Sequence, residues 1–160
     1  MTTIAVMPHE IVAPEYRGLD PVLPSIFLAG GISNCPDWQR QVVAMLAGWD
    51  VVLFNLRRFA YPDAPGAARA QIEWEYSHLR RATAVLFWFP GGPSPCPIAL
   101  FELGACTQWP DRRLFVGCDE AYPRRLDVEV QIGLARPEVP VASTLEGLTA
   151  QVAAWLDGRG

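Results

Sequence analysis

The apolar residues follow two patterns that alternate along the chain. Nearly unbroken apolar runs occupy positions 3–7, 25–29, 51–55, 84–89 and 114–117. Their length and continuity predict strands that are covered on both faces. Segments 37–46, 67–81, 97–108 and 145–155 carry helical periodicity or helix-start signals, and a further helix is predicted over 126–134. A stretch rich in proline and glycine, 8–24, is expected to join the first two strands as a loop.

This alternation of strand and helix predicts one α/β domain over residues 1–160, with a mostly parallel sheet and helices on both of its faces. Ligands of such sheets bind beyond the carboxyl ends of the strands. The segments that follow three of the predicted strands are therefore the candidates for a site: Gly30-Gly31-Ile32-Ser33, Asn55-Leu56-Arg57-Arg58 and the proline-rich loop 90–97.

Composition narrows the possible chemistry. The chain has 160 residues and a formal net charge of -4, and its cations are all arginines because it contains no lysine. A Schiff-base lysine and a Walker-type phosphate lysine are therefore excluded. The mild acidity argues against a nonspecific nucleic-acid surface and favours small-molecule ligands.

The cysteines and the ends of the chain add further expectations. The four cysteines and two histidines have no metal-ligand spacing, so neither a zinc site nor a disulfide framework is expected. No signal segment and no membrane-spanning apolar run is found. We therefore expect a cytoplasmic protein without a membrane partner.

Two glutamates are the candidates for catalysis. Glu102 shares a helix face with small apolar residues, where a carboxylate is costly unless it is paired or used. Glu75 lies with Gln71, Trp74 and His78 on one stripe of the 67–81 helix. Two carboxylates beside one cleft are the groups that usually catalyse the cleavage of a glycosidic bond. The structural alternatives are that Glu102 is buried in an ion pair with an arginine and that Glu75 lies in solvent.

The other candidates have equally plausible structural roles. Arg57 and Arg58 either bind a phosphate or carboxylate or neutralise Asp37 or Glu75. The pair Gly30-Gly31 permits close approach of the backbone to a ligand. Aromatic side chains for stacking on a base are available at Trp74 and in the strand 84–89, where some must be core.

Taken in order, five motifs resemble the nucleoside 2-deoxyribosyltransferase-like family, over about residues 25–148. They are SIFLAGG at 25–31, DWQ at 37–39, NLRR at 55–58, QIEWE at 71–75 and IALFELG at 98–104. The resemblance implies a flavodoxin-like or Rossmann-like fold, a homo-oligomer that shares site residues between subunits, and no cofactor. Six tryptophans in a chain that is 51% hydrophobic point to an oligomer as well.

The resemblance also implies roles for individual residues. Glu102 matches the family's nucleophile, and Glu75 stands where the transferases carry an aspartate that assists the leaving base. Cys96 stands where relatives have an aspartate or serine near the 5′ group, and a thiol is a poor substitute, although Ser94 takes that role if its loop bends back. Eleven residues are expected to bind substrate: Gly30, Gly31, Asp37, Trp38, Asn55, Arg57, Arg58, Gln71, Trp74, Phe89 and Cys96.

Three functions are compatible with these residues. The first is a transferase that exchanges the base of a 2′-deoxynucleoside, with a nucleoside or nucleotide and a free base as its small-molecule partners. The second is a nucleoside or nucleotide N-glycosidase that uses water as acceptor. The third is a catalytically silent nucleotide-binding sensor on the same scaffold. We expect transfer, on nucleosides that lack a 5′-phosphate.

Overall fold

A computed structural model describes residues 6–16, 22–58 and 63–159. Within them, six strands form one all-parallel sheet in the order β1-β3-β2-β4-β5-β6. The strands are β1 (His9–Val12), β2 (Ser25–Gly30), β3 (Val52–Asn55), β4 (Ala84–Phe89), β5 (Arg113–Cys118) and β6 (Val141–Ala142). The helices are α1 (Trp38–Met45), α2 (Ala67–Arg81), α3 (Pro97–Thr107), α4 (Arg125–Ala135) and α5 (Leu145–Asp157). The predicted α/β fold is confirmed, with a sheet that is parallel throughout.

The helices cover both faces of the sheet, as predicted. α2, α3 and α4 pack on one face through residues such as Trp74, Leu103 and Ile132. α1 and α5 pack on the other face. The side chains of β4 alternate between the two cores, with Phe87 and Phe89 in the first and Trp88 in the second. This explains why the strand is an unbroken apolar run.

The two edge strands depart from the sequence-based prediction. A first strand at 3–7 was predicted, but Val6 and Met7 are not in a strand, and residues 3–5 lie outside the described part of the chain. The edge strand is instead β1, inside the predicted loop 8–24, and it pairs with β3. Its first two residues are exposed, which an edge strand tolerates because backbone hydrogen bonds to a neighbour define it. β6 was not predicted because it has only two half-buried residues.

The strand order fixes where a ligand is expected. Apart from β1, the order is that of the flavodoxin-like sheet. The chain leaves β2 toward β3 on one side and returns to β4 on the other. The order reverses between β2 and β4, and in doubly wound sheets the crevice beyond such a switch point binds the ligand.

Candidate active site

A pocket of about 370 Å³ opens at this switch point, between the loops that follow β2 and β4 and the first turns of α3. Its walls come from all three segments that the sequence indicated. The lining residues are Gly30, Gly31, Ile32, Ser33, Leu56, Glu75, Ser94, Cys96, Pro97, Ile98, Ala99 and Glu102.

Glu102 is delivered to the pocket by α3. Pro97 occupies the first turn of this helix, where its missing N–H costs nothing. Glu102 lies in the second turn and is 8% exposed. Burial raises the pKa of its carboxyl to about 8, the nearby charge of Glu75 adds to the effect, and Arg80 opposes it. The carboxyl is therefore largely protonated at neutral pH in the absence of ligand.

Glu75 reaches the same pocket from α2. Gln71, one turn earlier, donates from Nε2 to Glu75 Oε1 at 2.8 Å and to the Leu56 carbonyl at 3.2 Å. Burial raises the pKa of the Glu75 carboxyl, while the Gln71 hydrogen bond and the charge of Arg58 act in the opposite direction. The two carboxyl groups thus come from different helices and interact electrostatically.

Gly30 and Gly31 form a wall that tolerates no side chain. A Cβ at Gly30 would collide with the Trp88 carbonyl oxygen and would lie 2.7 Å from the Trp38 ring. A Cβ at Gly31 would collide with the sulfur atoms of Cys35 and Cys96. The glycines are therefore needed for packing as well as for an open pocket.

The proline-rich loop folds back on itself at Ser94. Its hydroxyl accepts a hydrogen bond from the Cys96 N–H at 3.3 Å, and the Cys96 thiol lies 3.7 Å from the same oxygen. Tyr122 holds the loop by donating to the Pro95 carbonyl at 2.7 Å. Burial raises the pKa of the Cys96 thiol to about 11, so Cys96 is present as a neutral thiol. Ser94 therefore supplies a hydroxyl to the pocket beside Cys96.

Three aromatic residues that were predicted to bind substrate are buried in the core in this structure, and none of them lines the pocket. Trp38 is buried and donates from Nε1 to the Gly31 carbonyl at 2.9 Å. Trp74 is buried, stacks on His78 at 4.0 Å between ring centroids and donates to the Glu15 carbonyl. Phe89 is buried between Phe87 and Tyr122.

Arg57 supports the loop that follows β2. Its guanidinium donates to the Gln39 side chain and to three backbone carbonyls of the loop, those of Ile32, Cys35 and Pro36. It also lies 3.5 Å from Asp37, which caps α1 through the N–H of Arg40. Because these contacts engage the guanidinium, Arg57 organises one wall of the pocket.

Asn55, Asp37, Arg57, Arg58 and Gln71 do not line the pocket. Asn55 bonds to Glu10 at 2.6 Å and accepts from the Arg57 N–H. Arg58 acts on Glu75 through its charge, and Gln71 acts through a hydrogen bond. The residue of the NLRR segment that does line the pocket is Leu56.

Several lining residues were not proposed from the sequence: Ile32, Ser33, Leu56, Pro97, Ile98 and Ala99. Ile32, Ser33, Leu56 and Pro97 lie in the indicated segments, where their position after a strand was the available signal. Ile98 and Ala99 lie in the first turn of α3, next to the third segment. Apart from Ser33, these residues are apolar and carry no chemical signal of their own.

The arrangement suits proton transfer and nucleophilic attack inside a mostly apolar cleft.

Within the described residues, no cluster of three His, Cys, Asp or Glu side chains is placed to hold a metal ion. Among those same residues, no helix is both long and apolar enough to cross a membrane.

The family model described as "Nucleoside 2-deoxyribosyltransferase like" matches residues 23–122, a range that contains every lining residue of the pocket. None of the curated proteins matches the chain.

Proposed function

The chain belongs to the nucleoside 2-deoxyribosyltransferase-like family, and on that premise we propose that it exchanges the base of 2′-deoxynucleosides through a covalent deoxyribosyl–Glu102 ester. One observation carries the proposal. Two interacting carboxyl groups, Glu102 from α3 and Glu75 from α2, line one pocket at the switch point of the sheet.

In the first half-reaction, a Glu102 oxygen attacks C1′ of the deoxyribose while the bond from C1′ to the base nitrogen breaks. Glu75 gives its proton to the departing base, which leaves neutral. The second half-reaction is the reverse with another base. The incoming base returns a proton to Glu75, its nitrogen attacks C1′, and the ester to Glu102 breaks.

The walls beside Glu102 support a base as acceptor. Leu56, Ile98 and Ala99 are apolar, and a planar base can displace water from them. Water exclusion lengthens the life of the ester. A second candidate, an N-glycosidase with water as acceptor, is favoured by Ile98, which lies on the rim and is 62% exposed in the single chain.

The pocket also supports a substrate without a 5′-phosphate. Among the described residues, those that line the pocket include no arginine, and Arg57 is engaged with the loop after β2. Ser33 and Ser94 offer hydroxyl groups, which suit a 5′-hydroxyl better than a phosphate dianion.

The test is incubation with a panel of 2′-deoxynucleosides and a second free base, followed by chromatography. We expect new nucleoside only when both are present. Glu102→Ala should reduce turnover at least about a thousandfold, because it removes the attacking atom. A 2′-fluorinated substrate should leave an adduct on the Glu102 peptide, and an adduct on Glu75 or Cys96 would contradict the assignment.

Glu73→Gln is the matched control. Glu73 lies on α2 two residues before Glu75, but it is exposed and pairs with Arg69 at 2.7 Å. Glu75→Gln should lower the rate about 100- to 1000-fold through loss of proton transfer, whereas Glu73→Gln should leave it within about twofold. Free base released at an equal rate without an acceptor would assign the hydrolase instead, and no release at all would assign the silent sensor.

The phosphate preference is tested by comparing a deoxynucleoside with its 5′-monophosphate, each with and without a second base. The deoxynucleoside should react faster. Faster release from the monophosphate, without an exchange product, would move the assignment to nucleotide hydrolase.

A further inference from the structure

Two thiols, one of which lines the pocket, meet beside Gly31. The sulfur atoms of Cys35 and Cys96 both lie no more than 2.6 Å from the point that a Cβ on Gly31 would occupy, so they lie within about 5 Å of each other. Cys35 comes from the loop after β2, and Cys96 directly precedes α3. The glycine between them is what allows this approach.

We propose that Cys35 and Cys96 form a redox-sensitive dithiol that a peroxide converts to a disulfide, joining two walls of the pocket and closing it to substrate.

The two thiols differ in accessibility, which assigns their roles. Cys35 is partly exposed, whereas Cys96 is 4% exposed and hydrogen-bonded to Ser94. Cys35 is therefore the thiol that meets the oxidant, and Cys96 is the resolving thiol. The Arg57 guanidinium donates to the carbonyls of Cys35 and Pro36, and this contact keeps the first thiol beside the second.

The reaction balances with hydrogen peroxide as oxidant. The Cys35 sulfur attacks one peroxide oxygen, the O–O bond breaks, and water leaves to give the sulfenic acid. The Cys96 sulfur then attacks the Cys35 sulfur, the S–O bond breaks, and a second water leaves. Two thiols lose two electrons in total, and one peroxide is reduced to two waters. A dithiol reductant reverses the oxidation.

Formation of the disulfide would change the shape of the pocket. An S–S bond of about 2.05 Å requires the sulfur atoms to approach, and this draws the Gly31–Cys35 segment toward the start of α3. Ser33 and Ser94 lie on the two walls that are drawn together, and Cys96 belongs to the pocket itself. The consequence for turnover rests on the proposed function, whereas the formation of the bond does not.

The experiment oxidises the whole protein with a small excess of hydrogen peroxide. Intact mass should fall by about 2 Da, as expected for the loss of two hydrogens, and peptide mapping should show a link between Cys35 and Cys96. The rate of base exchange should fall at least tenfold and return with dithiothreitol. Cys35→Ser should keep the reduced rate within about twofold and resist inactivation, while Cys106→Ala, a buried thiol elsewhere on α3, should remain sensitive.

Several outcomes would overturn the proposal: a link between other cysteines, a sulfinic acid at Cys35 without a link, or equal peroxide sensitivity of Cys35→Ser. A correct link without any change in rate would overturn the closure of the pocket. A protein that is inactive even when reduced would refute the proposed function, and the peptide map would still decide whether the dithiol exists.

Discussion

Glu102 and Glu75 are treated as one titrating pair, because the charge of Glu75 raises the pKa of Glu102 in a poorly hydrated pocket. The proposed reaction needs one proton on the pair, carried by Glu75, while Glu102 is ionised. Burial is stronger at Glu102, whereas Gln71 and Arg58 favour ionised Glu75. The free protein therefore places the proton mostly on Glu102, and substrate binding must shift it to Glu75.

This order of protonation predicts a bell-shaped pH profile of kcat/KM. Activity should fall above about pH 8, where the pair loses its last proton, and should fall in acid, where both groups are protonated. In Glu75→Gln the like charge is gone, so the pKa of Glu102 should decrease and the residual activity should rise with pH to a plateau. Rates measured between pH 5 and 10 test both statements, and an alkaline limb that survives in Glu75→Gln would refute them.

Glu102 also affects stability, with a sign fixed by its raised pKa. The folded state holds a proton that the unfolded state releases near pH 4.5, so the contribution to stability is full below that pH and is lost as pH rises through about 8. The loss amounts to at most about 5 kcal/mol. Glu102→Gln should therefore raise the Tm at pH 9, by up to about 10–20 °C, and change it little at pH 4. Equal Tm values at pH 9 would contradict the raised pKa.

His78 contributes to stability with the opposite dependence on pH. It is buried, donates through Nδ1 to the Trp74 carbonyl in the neutral form, and has a lowered pKa because of burial. Its contribution to stability is present above about pH 6.5 and is lost as pH falls through its lowered pKa. Denaturation below pH 6 should accordingly be less steep with pH in His78→Phe than in the parent, measured by Tm from pH 4 to 7. An unchanged slope would show that His78 does not titrate on unfolding.

At the level of elements, the sequence defined the central units of the fold well. α2 and β4 have the predicted boundaries, because a 15-residue periodic segment and a fully apolar run each give a clear signal. β1 and β6 have no clear signal in the sequence, since edge strands are defined by hydrogen bonds to a neighbour. Trp38, Trp74 and Phe89 were proposed as substrate contacts because an aromatic residue has the same sequence signature whether it faces a pocket or a core.

The carboxyl end of β2 leaves no room for an added side chain at Gly30. Gly30→Ala places a Cβ against the backbone oxygen of Trp88, which has no freedom to move away, so we expect a loss of at least about 2 kcal/mol in unfolding free energy. Gly104→Ala is the control. It lies inside α3 with no atom near its Cβ, and it should gain about 0.5–1 kcal/mol. Urea unfolding of both variants measures these free energies. A Gly30→Ala variant that is as stable as the parent would contradict the packing described.

For the whole molecule, sheet topology explains why the segments that line the candidate pocket could be predicted while several of the individual lining residues could not. Parallel strands bring their carboxyl ends to one edge, so three loops distant in sequence line one pocket. Local hydrogen bonding decides which side chain of each loop enters the pocket. Arg57 turns back to the loop carbonyls and leaves Leu56 in the pocket, and nothing in the NLRR segment alone indicates this choice.

The homo-oligomer stays a prediction, which the tryptophans first suggested, and we propose the outer face of the α2–α4 layer as the surface on which copies of the chain would meet. Trp38, Trp74 and Trp88 are buried within the single chain. Of the eleven large apolar side chains that are exposed in the described part of the chain, seven are on the three helices of this layer: Ile72, Tyr76, Ile98, Phe101, Leu126, Val130 and Leu134. Side chains of this size exposed on adjacent helices of one layer are typical of an interface.

An interface on this face predicts which substitutions would dissociate such an oligomer. Phe101 is 77% exposed on α3 and Leu134 is 78% exposed on α4. Changing either to aspartate would bury an unpaired charge in an interface, but in a monomer it would only change the surface. Light scattering at micromolar concentration should therefore give a multiple of 17.7 kDa for the parent and a mass closer to 17.7 kDa for Phe101→Asp and Leu134→Asp. Val22→Asp is the matched control, because Val22 is 82% exposed and precedes β2, outside the α2–α4 layer. A parent mass of 17.7 kDa, or dissociation by the control alone, would show that this layer is not where copies of the chain meet.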